Sequence, residues 1–157
     1  MKGVRRAEKR DILRLILLLK EVNRVHVKGR PDLFRPNTKY DPAQLEAILK
    51  DPSKPVFVWC DEKGLVQGYA FCQIKEVKGH ALLADHKELY LDDVCVEEKA
   101  RGKGVGRTLF EACKAFAKEE GCHDLTLNVW EFNEGARAFY EKMGMRPQRT
   151  YMEILLD

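Results

Sequence analysis

The stretch Val94-Cys95-Val96-Glu97-Glu98-Lys99-Ala100-Arg101-Gly102-Lys103-Gly104-Val105-Gly106-Arg107 carries most of the information in this chain. An apolar, β-rich run ends, a turn follows, and a helix begins among the glycines. Glycine lets backbone approach a ligand closely. The first N–H groups of a helix have no partner within it and, with the positive end of the helix dipole, face an anion. Arg101, Lys103 and Arg107 add positive charge. The stretch therefore reads as a cradle for phosphate or pyrophosphate. It is not a Walker A loop, which needs Gly-Lys-Ser/Thr after four spacer residues. Nor is it the Rossmann fingerprint, because the spacing is GxGxG at mid-chain rather than GxGxxG near a chain start. What stands here is Arg101-x-x-Gly104-x-Gly106.

Charge is asymmetric around this turn. Residues 85–98 hold six acids and one lysine, while residues 99–107 hold four Lys/Arg and no acid. Adjacent strips of opposite sign suggest two ligands of opposite sign. Downstream, Gly104 to Glu120 has an amphipathic helix pattern, Leu125 to Trp130 a strand, and Asn133 to Met143 a second helix, with Asn133 as N-cap and Gly144 as its stop. Thr150 to Leu155 is expected to close as a strand. Upstream, Glu8 to His26 has the spacing of a helix, residues 29–42 a Pro- and Gly-containing loop, and Pro42 to Leu49 a short helix. Val56–Cys60 and Leu65–Val77 flank a turn signal, Asp61-Glu62-Lys63-Gly64, and Glu88–Val96 is a further strand. The expected order is β, α, α, β, β, β, α, β, α, β, β. Strand–helix–strand in the second half requires a crossover, hence a partly parallel sheet.

A second motif completes the picture: Asn133-x-x-Ala136-x-x-Phe139-Tyr140-x-x-x-Gly144-Met145. Together with the glycine turn and the strand before it, residues 88–146 resemble the GNAT superfamily of acetyl-CoA-dependent N-acetyltransferases. The resemblance implies a GNAT-like α+β or α/β fold: a central, mixed, twisted sheet of about six to seven strands flanked by about four helices, in one domain over residues 1–157. It implies acetyl transfer from acetyl-CoA to a primary amine by direct attack in a ternary complex. A non-catalytic acetyl-CoA sensor or protein-interaction module is the alternative.

The resemblance also distributes roles. Val94, Cys95 and Val96 would pair with the pantetheine arm of acetyl-CoA through backbone groups. Arg101, Gly102, Lys103, Gly104, Val105, Gly106 and Arg107 would hold the pyrophosphate. Asn133 would face the cofactor arm, a role compatible with capping its helix. Tyr140 would sit by the thioester and protonate the departing thiolate; read without the family, it is a core aromatic beside Phe139. Asp92 and Asp93 stand in an apolar strand, where unsatisfied acids are costly, and alternation sends them to opposite faces. Polyamine acetyltransferases of the superfamily carry a similar Leu-acid-Asp stretch whose first acid lines the acceptor site. That makes Asp92 the candidate base, with Asp93 the runner-up or an acceptor-binding acid. The branch acting on ribosomal proteins uses a glutamate where this chain has Asn128, which cannot serve as a base. Phe34 and Tyr40 lie in the loop expected to wall the acceptor site.

Composition sets the remaining bounds. With 45% apolar and 34% charged residues the 157-residue chain is neither disordered nor low-complexity. Its apolar runs are far too short for a membrane span, and no secretory leader is expected. Residues 1–30 carry ten Lys/Arg against three acids, but without interleaved aromatics they read as a solvated helix face rather than a nucleic-acid platform. Five cysteines without a CxxC pair point to reduced thiols in a cytoplasmic protein and to no metal site. Cys95 has no histidine nearby in sequence to activate it as a nucleophile. The acidic strip favours a cationic acceptor, a free amine on a small molecule or a protein; no nucleic-acid or membrane partner is expected, and a homodimer is compatible with the pattern.

Overall fold

The computed structural model describes residues 2–156, so the two end residues of the expected 1–157 domain lie outside the described ones. In chain order the elements are β1 (Gly3–Arg6), α1 (Ile12–Gly29), α2 (Pro42–Lys50), β2 (Val56–Cys60), β3 (Val66–Val77), β4 (His86–Val96), α3 (Val105–Glu119), β5 (Asp124–Leu127) and α4 (Glu134–Lys142). The five strands form one sheet in the order β1-β2-β3-β4-β5. Pairing is antiparallel from β1 to β4 and parallel between β4 and β5, with α3 as the crossover. The mixed, partly parallel sheet with four helices is the expected architecture, with five strands in place of six to seven.

Local chemistry explains most boundaries. Asp41 caps α2, accepting from the Gln44 N–H at 2.8 Å while the Gln44 side chain accepts from the Asp41 N–H at 2.9 Å, and Pro42 follows as the first helical residue. Asn133 caps α4 by accepting from the Ala136 N–H at 3.3 Å, and Gly144 leaves that helix with φ +101°. Two expectations need correction. The first concerns the C-terminal part of the chain. Leu125–Trp130 shortens to Asp124–Leu127, and residues 150–155 form no strand, since among the described residues none of their backbone groups finds a backbone partner. The second concerns β1, to which no residues were assigned. Gly3–Arg6 has almost no apolar pattern, yet it pairs with β2 and lays the Arg6 guanidinium over Phe57 and Phe116, 5.3 and 5.4 Å from the ring centroids.

Each face of the sheet has its own core. On one, α1 and α2 bring Leu15, Leu18, Leu19 and Leu45 against Val58, Tyr69, Phe71 and Cys95. On the other, α3 brings Val105, Leu109, Phe110 and Cys113 against Phe57, Ala70, Leu89 and Leu91. Odd-numbered residues of β4 thus change sides: Leu89 and Leu91 face α3, but Cys95 faces α1. The cause is a β-bulge. Phe71 pairs with Asp93 and Cys72 with Leu91, leaving Asp92 as the extra residue. The expectation that Asp92 and Asp93 face opposite ways therefore fails. Asp92 bonds Tyr40, which packs on the α1/α2 core, and Asp93 lies beside Tyr69 of the same core.

Candidate active site

The bulge also marks where the sheet opens. Pairing of β4 with β5 runs from Glu88↔Asp124 to Leu91↔Leu127 and stops there. From Asp92 to Val96 one edge of β4 has no strand neighbour among the described residues, although its other edge stays paired with β3 as far as Gly68↔Val96. The open edge of β4 over Val94–Val96 thus presents alternate backbone groups in a wedge, with the Val96 carbonyl already taken by Arg101.

Immediately beyond, the chain turns into α3. Gly102 and Gly104 both have φ +80°, a region that favours glycine, and nothing lies within 4 Å of where their Cβ atoms would stand. Gly104 is the N-cap of α3 and, lacking a side chain, leaves the first N–H groups of a 15-residue helix without a side-chain cap. Lys103 and Arg107 form no salt bridge among the described residues, while Arg101 turns back to donate from Nε to the Val96 carbonyl at 2.9 Å. The cradle is therefore built from Gly102 to Arg107, with Arg101 fastening the strand end beneath it. Arg14 of α1 anchors the same region, donating to the Val66 carbonyl at 2.7 Å and pairing with Glu97 at 2.9 Å.

The helix α4 meets this cradle through Gly106, where an added Cβ would stand 3.1 Å from the Phe139 ring. That packing brings Tyr140 to the opening beside β4. Burial and then the charge of Asp93 push its phenol well above the ordinary range, so it keeps its proton at all working pH values. Asp93 is itself raised to about 6, first by burial and then by the neighbouring Asp92, against the lowering pull of Lys39. Tyr69 is fully buried, and its hydroxyl lies close enough to Asp93 to pull that carboxyl down, against the rise that burial causes.

Asp92 is engaged differently. The Tyr40 hydroxyl donates to its Oδ2 at 2.6 Å, and the Lys39 ammonium lies 3.2 Å from the same oxygen. A small cavity lined by Tyr40, Phe71, Gln73 and Asp92 opens beside them. Phe34 lies apart from this pair, stacked on His26 at 4.9 Å and edge-on to Trp130 at 5.3 Å. Trp130 in turn stacks on Phe132 at 5.7 Å, so four rings clasp the end of α1 to the segment after β5. Of the sites expected from sequence, β4, the glycine turn and Tyr140 gather around the wedge; Asn133 caps α4, Tyr40 joins Asp92, and Phe34 belongs to the clasp. Lys39 and Tyr69 carry no site signature in the sequence, while His26 packs at the end of the α1 stripe, as its spacing predicts. Tyr69 reads as core in an apolar strand. Cys95 is pushed up to about 12, first by burial and then by Asp93, which leaves an inert thiol. Asn128, at the position of the other branch's base, donates to the Tyr90 hydroxyl at 3.0 Å.

Two parallel strands thus part beside a helix that a glycine caps. The family model described as the acetyltransferase (GNAT) family matches residues 20–145, and the chain belongs to that family. Among solved structures, a tetramutant of the BH1408 protein from Bacillus halodurans superposes with a TM-score of 0.94 at 32% identity, over 98% of this chain and 99% of that one. The aminoglycoside N-acetyltransferase AAC(6')-Iy, solved with CoA, shares the fold at a TM-score of 0.74 and 15% identity, over 99% of each chain. Blasticidin-S acetyltransferase of Streptomyces morookaense is 31% identical over 124 residues, 74% of this chain and 82% of that protein. Other curated relatives match over shorter stretches, and the chain spans 34% and 28% of the length of two of them. Among the described residues no helix is long and apolar enough to cross a membrane, and no cluster of His, Cys, Asp or Glu could hold a metal ion.

Proposed function

We propose that this chain is an N-acetyltransferase that moves the acetyl group of acetyl-CoA to a primary amine by direct attack in a ternary complex. The observation that carries it is the parting of β4 from β5 after Leu91↔Leu127, with the helix cradle at one end and Asp93 and Tyr140 at the opening. The N–H groups of Val105, Gly106 and Arg107 would hold the pyrophosphate, assisted by Lys103 and Arg107, and the free edge from Val94 to Val96 would pair with the pantetheine amides. Acetyl-CoA supplies an activated thioester. A backbone N–H of the β4 edge stabilises the oxyanion that forms when the amine attacks.

The base assignment moves from Asp92 to Asp93. A lysine-like ammonium, with a pKa near ~10.4, must lose a proton before or during attack. A carboxylate at about 6 accepts that proton better than one at the ordinary 3.8. Asp92 already accepts from Tyr40 and Lys39, and its role is to hold the acceptor wall and attract a cation. Proton transfer to Asp93 has a second effect. It removes the negative charge that helps hold the Tyr140 phenol high, so Tyr140 becomes a stronger acid as the thiolate leaves. The paired carboxylates support a cationic acceptor, and likeness to an enzyme named for blasticidin S supports a small-molecule amine. Five free cysteines, four of them buried, fit a reducing compartment, and cytoplasm is the location we assign.

The test is calorimetry with acetyl-CoA followed by a CoA-release screen against polyamines, aminoglycosides, amino acids and protein amines. Binding heat that disappears in Gly104→Val, together with turnover of one amine class, is the expected result. A β-branched side chain is strained at φ +80°, although its Cβ meets no neighbour there, so circular dichroism and urea denaturation check that the variant is folded. Binding without turnover of any amine would assign the chain to the sensor class, and no heat would remove the acetyl-CoA site.

A further inference from the structure

Lys39 carries the one ammonium among the described residues that pairs with Asp92, 3.2 Å from its Oδ2. The same nitrogen donates to the Asp92 carbonyl at 3.2 Å and stands 5.8 Å from the centre of the Tyr40 ring. Its charge also reaches the next residue. Burial raises the Asp93 carboxyl, and Lys39 is the largest pull against that rise.

The position is held from both sides. Asn23 of α1 donates from Nδ2 to the Arg35 and Asn37 carbonyls at 2.9 and 3.0 Å. Tyr40 is fixed by its bond to Asp92 at 2.6 Å and by its ring against Phe71, 5.6 Å between centroids. Between these anchors Lys39 has its own four-carbon stem to move with. Its side chain is 40% exposed, and an ion pair that open to water adds little to stability. The ammonium can therefore leave Asp92 at small cost.

We infer that Lys39 is an acceptor built into the chain: its Nζ takes the acetyl group of bound acetyl-CoA within the same molecule. The inference rests on the acetyl-transfer function proposed above. An amine must reach the opening where Asp93 and Tyr140 stand, and Lys39 is already seated on the bulge beside it. The ammonium gives one proton to the Asp93 carboxylate, and its nitrogen forms the C–N bond to the thioester carbon. The C–S bond breaks. The sulfur takes a proton from Tyr140, which recovers one from the surplus on the nitrogen. Acetyl-lysine, CoA and one proton released from Asp93 are the products. A neutral amide then stands where a cation stood, and Asp92 keeps Tyr40 but loses its ion pair.

Incubation of the full chain with acetyl-CoA and no other amine, followed by intact mass and peptide mapping, tests it. The expected result is a gain of one acetyl group on Lys39 with a half-time independent of protein concentration. It should be absent in Lys39→Arg and slower by at least about tenfold in Asp93→Asn. A second measurement needs no cofactor. Lys39→Gln has the neutral amide end of an acetylated lysine, and in the free protein it should move the Asp93 carboxyl above about 6 in a carbon-detected NMR titration. Turnover of an added amine with Lys39 unmodified overturns the inference and leaves the proposed function standing. Acetylation of another lysine instead, such as Lys54 of the same cavity, also overturns it. So does a half-time that shortens with protein concentration, or an equal rate in Asp93→Asn, the mark of plain chemical acetylation. An Asp93 titration unmoved in Lys39→Gln places the ammonium out of reach and overturns it too. Absence of binding heat with acetyl-CoA removes the proposed function and the inference together.

Discussion

Asp93→Asn separates catalysis from stability in one substitution, and the two effects have opposite signs. The wild-type carboxyl is raised from 3.8 to about 6, chiefly by burial. Its folded-state pKa lies above the unfolded value, so the folded protein favours the protonated form. Stability is therefore fully present below about pH 4 and is lost as pH rises through about 6. At 1.36 kcal/mol per pH unit, the loss on ionisation is about 3 kcal/mol at neutral pH. An amide of the same shape carries no such charge. Asp93→Asn should raise the denaturation free energy by up to about 3 kcal/mol at pH 8 and by close to nothing at pH 4. Turnover should fall by roughly 10²- to 10⁴-fold, the range for a lost general base. Wild-type kcat/KM should decline below pH 6, and the variant should lack that limb. The assays are urea denaturation at the two pH values and CoA release across pH. A variant no more stable at pH 8 than wild type and nearly as active would refute the assignment. If Asp92→Asn were then inactive, the base would be the bulged residue.

Two further outcomes follow from the geometry. Tyr140→Phe should lower kcat by about 100-fold while leaving the calorimetric affinity for acetyl-CoA nearly unchanged; equal losses in both would make Tyr140 a packing residue. Asp11 is 6% exposed, receives Arg5 at 2.7 and 2.9 Å and caps the Glu8 N–H at 2.8 Å. Burial opposes its ionisation, but these partners outweigh it and hold the carboxyl below its usual range. Asp11→Ala should cost about 3 kcal/mol in urea denaturation at pH 7. The difference from wild type should begin to shrink as pH falls below about 4, where the unfolded carboxyl takes up its proton, and vanish at the lower pH where the native carboxyl does so.

What could be read from sequence is what local pattern controls. The strand Val56–Cys60 and the helix start at Pro42 follow from a short β-branched and aromatic run, capping and proline geometry over a few residues. The glycine turn was legible because an uncapped helix start with two positive-φ glycines has few other uses. Contacts across 52 positions, such as Tyr40 with Asp92, leave no local signature. β1 has too little apolar pattern to read as a strand: Val4 is its one apolar side chain on the core, and Arg6, exposed, lies over aromatic rings, an arrangement invisible to an apolar count. Residues 150–155 have a strand's pattern and no strand's partner among the described residues. Pattern reports what a segment needs, and the need is met only where a bare edge exists.

The bulge at Asp92 ties the separate features of the site into one cause. Without it, β4 would alternate unbroken, and Cys95 would face α3 with Leu89 and Leu91. Asp92 and Asp93 would then point into different cores, one of them far from any amine that the other could attract. The extra residue turns both toward the α1/α2 face, where Tyr40 and Lys39 occupy one and burial raises the other. It also adds local twist, and pairing with β5 ends at Leu91, the residue before it. The same insertion therefore accounts for the free β4 edge, the pairing of two carboxylates and the exposure of Asp93 to Tyr140. Deleting Asp92 would restore the strand's register and should abolish the wedge and the raised carboxyl together, which no substitution at a single side chain can do.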